Sequence, residues 1–553
     1  MAPHDFLSLP HEVRHEIYKA YFTLDGGYAF QPWSGQPGSG KLAAADGQPL
    51  DLALMYTCRL IASETKNLPL KHNVVSFATV YHPEWRQWAG RFDYLLRAQL
   101  FMQTRVLLEL ERSGHITPNI YTQIDSKFPR FVAALKYALG HHWELDTNRC
   151  LDKVLSCYEW CHYGTLWRRY EAFTGLRMSR HEISQAVTFA LRLVAQELRT
   201  SPKPHAIQNL EGWRGDCDGL VDFLNQCYEP WEIPSESGLE AMGRRFGDDL
   251  PWSRIQRWER MHGKTWPSSV VYRSKYQFSA AALAIRFLDH LPTSKRLSIR
   301  EIVLREDRIA VGYQECHATG LIPFCRENSR LRIDHRVSLL NNIFQAANIV
   351  SDTHGFLRNT KKYYGEWPPI PVGLIFRQLS CWSTESLAAV GAGMPADTYS
   401  LVFDGEPAID LCSDIFQEIV LREAAFYLAL DRVYPRQMDR HDCLFFSYIC
   451  VGGAEAMRRL VDQTSVLRCN FHPGQMWSID KFAKDIVKHP IDTIHGKMEL
   501  RDILKTPDKC AFYPPTSLPS WIDLMMENYE SRKILSKYDL QQACVYPKGW
   551  GRG

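Results

Sequence analysis

"LSIREIVLRED", Leu297 to Asp307, is the stretch on which the reading of the fold turns. Its run Ile302-Val303-Leu304 is short, apolar, mostly β-branched and bounded by charge, so it reads as a buried strand. The hexapeptide inside it, "EIVLRE" (Glu301–Glu306), returns at Glu418–Glu423. There it sits in "CSDIFQEIVLREAAFYLAL", whose apolar residues recur at helix spacing, and the flanks of the two copies do not match. The recurrence is therefore read as coincidence and not as an internal repeat. Two further segments look like strands: "NVVSFATV" at 73–80 and "TYSLVFDG" at 398–405. Against them stand long stretches of helical periodicity, from about 85 to 200, in "YQFSAAALAIRFLDHL", at 411–433 and at 453–464. The expectation is a mainly α fold with a few short strands. A small N-terminal helical module (1–80) precedes a multi-lobed helical body, with one helical lobe at 81–230 and an α-rich lobe with a few strands at 270–553. Between them, at 230–270, Pro, Gly and Trp recur as in a linker or long loops.

The chain has 553 residues, 45% of them apolar and 23% charged, so it can bury a large core in more than one lobe. Its 65 basic and 62 acidic residues leave a formal charge of +3, and no Lys/Arg block stands out. The footprint of a nucleic-acid binder is missing, and no nucleic-acid partner is expected. Fifteen scattered cysteines without a C-x-x-C pair suit reduced thiols in the cytoplasm or nucleus better than a disulfide scaffold. The start lacks a signal-peptide profile and the end lacks a lipidation signal. The most apolar run, "CLFFSYICVGG" from Cys443, is too short to span a bilayer. No membrane partner is expected.

The N-terminal "LPHEVRHEIY" (Leu9–Tyr18) contains His11-Glu12-Val13-Arg14-His15, the H-E-x-x-H spelling of zinc proteases. At about 100° per residue the apolar stripe runs through Leu9, Val13 and Ile17, and both histidines fall on the opposite, wet side. The third ligand is also missing, since the position six beyond His15 is Tyr21. An ordinary exposed helix is the better reading. "GQPGSGKL" (Gly35–Leu42) imitates a phosphate loop, but Leu42 cannot hold magnesium, and the flanks, part of a Gly/Pro-rich loop at 24–50, are turn-like. Cys150, Cys157 and Cys161 share one helix stripe, which favours packing over metal. Cys316, His317 and Cys325 could pair a thiolate with an imidazole, but neighbours in an extended segment face apart. No catalytic residue, metal ligand or cofactor follows from these motifs.

Taken together, "FLSLPHEVRHEIYKAYF" and "LALMYTCRLIASETKNLPLKHNVVSF" resemble the N-terminal module of fungal F-box-like proteins. The matching positions are Leu9, Pro10, Glu12, Val13, Arg14, Ile17 and Tyr18, then Thr57, Cys58, Arg59, Ile61 and Glu64, then Asn73 and Phe77. The resemblance implies a protein–protein interaction protein. Its N-terminal module would dock on the adaptor subunit of an SCF-type ubiquitin ligase, and the body would recruit a substrate protein. Helix-in-groove docking would use Leu9, Pro10, Val13 and Ile17 as one set of anchors and Leu54, Cys58 and Ile61 as a second. The same residues could instead pack on the chain's own body. The chain departs from the family in its long loop between the two halves and in a body that shows neither leucine-rich nor propeller repeats. The rival expectation is an enzyme whose site is assembled from dispersed residues of the body.

Overall fold

The computed structural model describes residues 6–140, 179–198, 220–246, 270–349, 372–434, 452–489 and 514–534, with a few further positions between 252 and 260 and at 512. A seven-stranded sheet organises them, in the order β2-β1-β3-β6-β7-β8-β9. Its strands are β1 (Tyr28–Pro32), β2 (Gly40–Ala44), β3 (Val75–Ala78), β6 (Glu301–Glu306), β7 (Arg332–Ser338), β8 (Tyr399–Asp404) and β9 (Leu467–Cys469). β1 and β2 form an antiparallel hairpin, and every other neighbouring pair is parallel. A second, three-stranded antiparallel sheet joins β4 (Glu259–Arg260), β5 (Val270–Ser274) and β10 (Tyr529–Lys533). The expectation of a mainly α fold with a few short strands is overturned by this architecture, which is α/β. The "loop" at 24–50 supplies a hairpin, and "RIDHRVS" supplies a central strand.

From β3 onward each parallel strand adds on the same side of its predecessor, in chain order. Parallel connections are right-handed almost without exception, and such a succession stacks its crossover helices on one face. Burial agrees. Along β7 the burial alternates, with Ile333, His335 and Val337 inside and Arg332, Asp334 and Arg336 outside. The register carries this across the sheet, as Ile302, Ile333 and Tyr399 lie abreast, and so do Phe77, Leu304, His335 and Leu401. The inner face packs on the helices Ala280–His290 and Gly453–Val461, and on Val372–Gly391 through Trp382 against His335 and Ser386 against Tyr399. One buried cluster runs from Val75 to Leu524.

The local chemistry explains these elements. Ala280–His290 is rich in alanine and is capped by Ser279, whose Oγ accepts from the Ala282 N–H at 3.0 Å. The two copies of "EIVLRE" adopt different structures, strand at Glu301–Glu306 and helix at Glu418–Glu423. Identical local propensity yields to what each copy packs against.

Candidate functional site

The N-terminal module has its own small core of Tyr18, Phe22, Ile61 and Leu68, with Phe6, Leu52, Leu54, Met55 and Cys58 packed around it. The helix His11–Phe22 turns Arg14, Tyr18 and Phe22 inward, one residue round from the stripe that apolar periodicity selects. Burying an arginine is costly unless it is paired. Glu64, on the helix Arg59–Thr65, meets that need. The Arg14 guanidinium donates to both Glu64 oxygens, its Nε at 3.1 Å, and the Tyr18 hydroxyl donates to Oε2 at 2.8 Å. The Arg14 hydrogen bond, with help from Tyr18, draws the Glu64 carboxyl down to about 2, so the clamp stays charged at any physiological pH.

Asn73 is the second cross-link. It is buried, and its amide donates to the carbonyls of Phe22 (2.7 Å) and Pro69 (2.8 Å) while its oxygen accepts from the Leu24 N–H (2.8 Å). One side chain thus ties the end of the first helix, the helix Leu68–His72 and the entry to β3.

The expected anchors divide. Val13 and Ile17 stand out at 45% and 42% exposure and continue along the helix to exposed Tyr21. Pro10 is exposed at the helix start, and Leu9 is half-buried. Leu54, Cys58 and Ile61 belong to the module's own core, Ile61 fully buried and the other two half-buried. Sequence reasoning missed Leu60 and Tyr56, which are exposed on the second half of the module. His11 is exposed and stacks on half-buried His15, with centroids 6.1 Å apart. Among the described residues no group of three His, Cys, Asp or Glu side chains is placed to hold a metal.

Among the described residues of the body, two buried polar chains surround Glu306 and His317, apart from a buried pair between His181 and Glu385 at 3.1 Å. Glu306 is sealed from solvent and accepts four hydrogen bonds. They come from the Ala280 and Ala281 N–H groups (3.1 and 3.0 Å), Thr79 Oγ1 (3.1 Å) and His335 Nε2 (3.4 Å). Burial alone would raise this carboxyl, but His335 and the helix N–H groups hold it below the usual carboxylate range. Four donors fill its acceptor capacity. His335 Nδ1 faces the Tyr399 hydroxyl at 3.0 Å, which meets Ser386 Oγ at 3.1 Å. Burial pushes the Tyr399 phenol up.

The second chain is shorter. His317 Nε2 donates to the Gly312 carbonyl at 2.7 Å, which leaves Nδ1 to accept from Ser279 Oγ at 2.6 Å. Burial lowers this imidazole to about 4, so it is neutral. Neighbouring Cys316 is buried and its thiol is pushed well above its ordinary range, so no thiolate forms beside His317. Thr79 is half-buried at the edge of the first chain, but Glu306, His335, Tyr399, Ser386, Ser279, His317 and Cys316 are each at most 3% exposed, which closes the two histidines and the carboxylate to a substrate.

A cleft of about 450 Å³ lies between Trp231, Ile285, Gly320 and Phe324. Of the charges at its wall, Arg296 and Glu327 are spent on each other in two 2.8 Å hydrogen bonds, and the third, Asp289, is exposed. The phosphate-loop imitation is a hairpin turn in which Lys41 lies on β2 opposite Gln31. Gly40 is required there because a Cβ would lie 2.5 Å from the Gln31 carbonyl oxygen. Cys150, Cys157, Cys161 and the run from Cys443 lie outside the described residues. Among the described residues no helix is long and apolar enough to cross a membrane. Compared with family models, curated proteins and solved structures, the chain matches none.

Proposed function

We propose that this chain is a protein–protein interaction protein that docks through its N-terminal module, with the adaptor subunit of an SCF-type ubiquitin ligase as the partner implied by its F-box-like sequence. One observation supports the reading above the others. Val13, Ile17 and Tyr21 form an exposed stripe on a helix whose adjacent side, one residue round, is fixed by Arg14, Tyr18 and Phe22. A stripe of branched and aromatic side chains held rigid in this way loses little conformational freedom on binding, which favours helix-in-groove recognition. The body then serves to recruit a second protein. The work is expected to take place in the cytoplasm or nucleus, where the thiols remain reduced.

The test is capture of a purified ligase adaptor by the tagged full-length chain. Wild type retains the adaptor. Val13→Asp with Ile17→Asp reduces retention at least tenfold and leaves the thermal midpoint unchanged, because both side chains already face water. A wild-type chain that retains no adaptor overturns the reading.

A further inference from the structure

The face of the large sheet opposite the packed helices carries charge along its strands, and the charge is not random. One row across the strands runs Ala78, Arg305, Arg336, Val402, Arg468 in direct register. At the far edge Lys41 pairs with Gln31, and extending the Tyr28–Val75 and Ala29–Ser76 register by two residues brings Gln31 level with Ala78. Four cations therefore share one line across seven strands. Strands lie about 4.8 Å apart, so the line from Lys41 to Arg468 spans roughly 29 Å.

The cations are available to different degrees. Lys41, Arg305 and Arg468 are exposed. Among the described residues no carboxylate pairs with Arg305 or Arg468, and Arg468 donates only to the backbone carbonyls of Ser465 and Leu467. Arg336 is half shared, since Asp334 beside it accepts from its Nε at 2.7 Å. Trp33 follows Gln31 by two residues and is 58% exposed, an aromatic anchor at the end of β1.

We propose that this row binds an extended acidic polypeptide segment laid across the strands. It rests on the reading above in that such a segment would belong to the recruited protein. An extended chain covers about 3.3 Å per residue, so roughly nine residues reach from end to end, with alternate side chains facing the sheet. A carboxylate at every second position then meets the guanidinium groups, which bind carboxylates in bidentate fashion. Asp334 and Asp404 flank the row on either side, so they confine an anionic segment to the line of cations. Half-buried Val402 adds apolar surface that a side chain could cover.

The experiment measures fluorescence anisotropy of a labelled nine-residue peptide alternating Glu and Ala on the full-length chain. A Gln-for-Glu peptide and a nine-nucleotide single-stranded DNA are the comparisons. The Glu peptide is expected to bind at least tenfold tighter than either and to weaken with salt. Arg305→Glu with Arg468→Glu weakens it at least tenfold while adaptor capture is retained. Equal binding of the Gln peptide, tighter binding of the DNA, or an unaffected double variant overturns the proposal. Adaptor capture is read separately on the same proteins. Loss of capture with peptide binding intact sinks the docking reading and leaves the acidic site standing, and the reverse result sinks the acidic site alone.

Discussion

Replacing His317 by Gln should flatten the acid dependence of stability by about one proton. His317 is held neutral because its Nε2–H is committed to the Gly312 carbonyl and its Nδ1 to the Ser279 hydroxyl, in a site with no room for solvent. The imidazole titrates at 6.5 when free and at about 4 in the folded protein. Below pH 6.5 the unfolded chain takes up a proton that the native chain refuses, so stability falls as the pH drops from 6.5 towards 4. The full window is worth roughly 3 kcal/mol, of which about 2 kcal/mol is lost between pH 7 and pH 5. Glutamine still offers the Gly312 carbonyl an N–H but carries no titrating group. The assay is urea unfolding at pH 7 and pH 5, followed by tryptophan fluorescence. The variant is expected to be the less stable protein at pH 7, from imperfect fit, and to recover about 2 kcal/mol relative to wild type at pH 5. Parallel pH dependences for the two proteins would refute the claim that His317 is a neutral, doubly committed core group.

Asn73→Ala removes three buried hydrogen bonds at once and should cost roughly 2–4 kcal/mol, with faster amide exchange confined to residues 6–78 and the body unaffected. Gly312→Ala places a Cβ 2.3 Å from the Pro230 carbonyl oxygen at a φ of +84°. It should destabilise by more than about 2 kcal/mol, measured as a fall in thermal midpoint, and an unchanged midpoint would mean the turn relaxes freely.

Three of the seven strands of the large sheet were legible in the sequence, and their organisation was not. β3, β6 and β8 follow from short apolar runs. β7 also alternates correctly, but its inner positions include His335, and its outer ones are Arg332, Asp334 and Arg336. A pattern reader counts that as a charged loop, because the partners that make a buried histidine acceptable, Glu306 and Tyr399, come from other strands. β9 is three residues long, too short for any period. The strands begin at 75, 301, 332, 399 and 467, so their spatial regularity has no counterpart in sequence spacing. The N-terminal helix shows the same limit from the other side. Counting apolar residues selects Val13 and Ile17 as the inner face, because Arg14 is scored as a surface residue. Its burial depends on Glu64, fifty positions away. On the second half of the module Leu54, Cys58 and Ile61, expected as docking anchors, lie instead in the module's own core, beside Glu64, which turns in to meet Arg14.

The succession of strands also sets a schedule for synthesis. Thr79 and Glu306 meet across β3 and β6 although 227 positions separate them in the chain. At about 5–20 residues per second, roughly 10–45 s pass between translation of the two. Through that interval Val75 and Phe77 have no partner strand on that side, and the closing loop is long. The emerging N-terminal module can fold on its own core, but the strand it leads into must wait. A nascent chain in this state presents an unpaired apolar edge, which exposes the ribosome-bound intermediate to pairing with other chains.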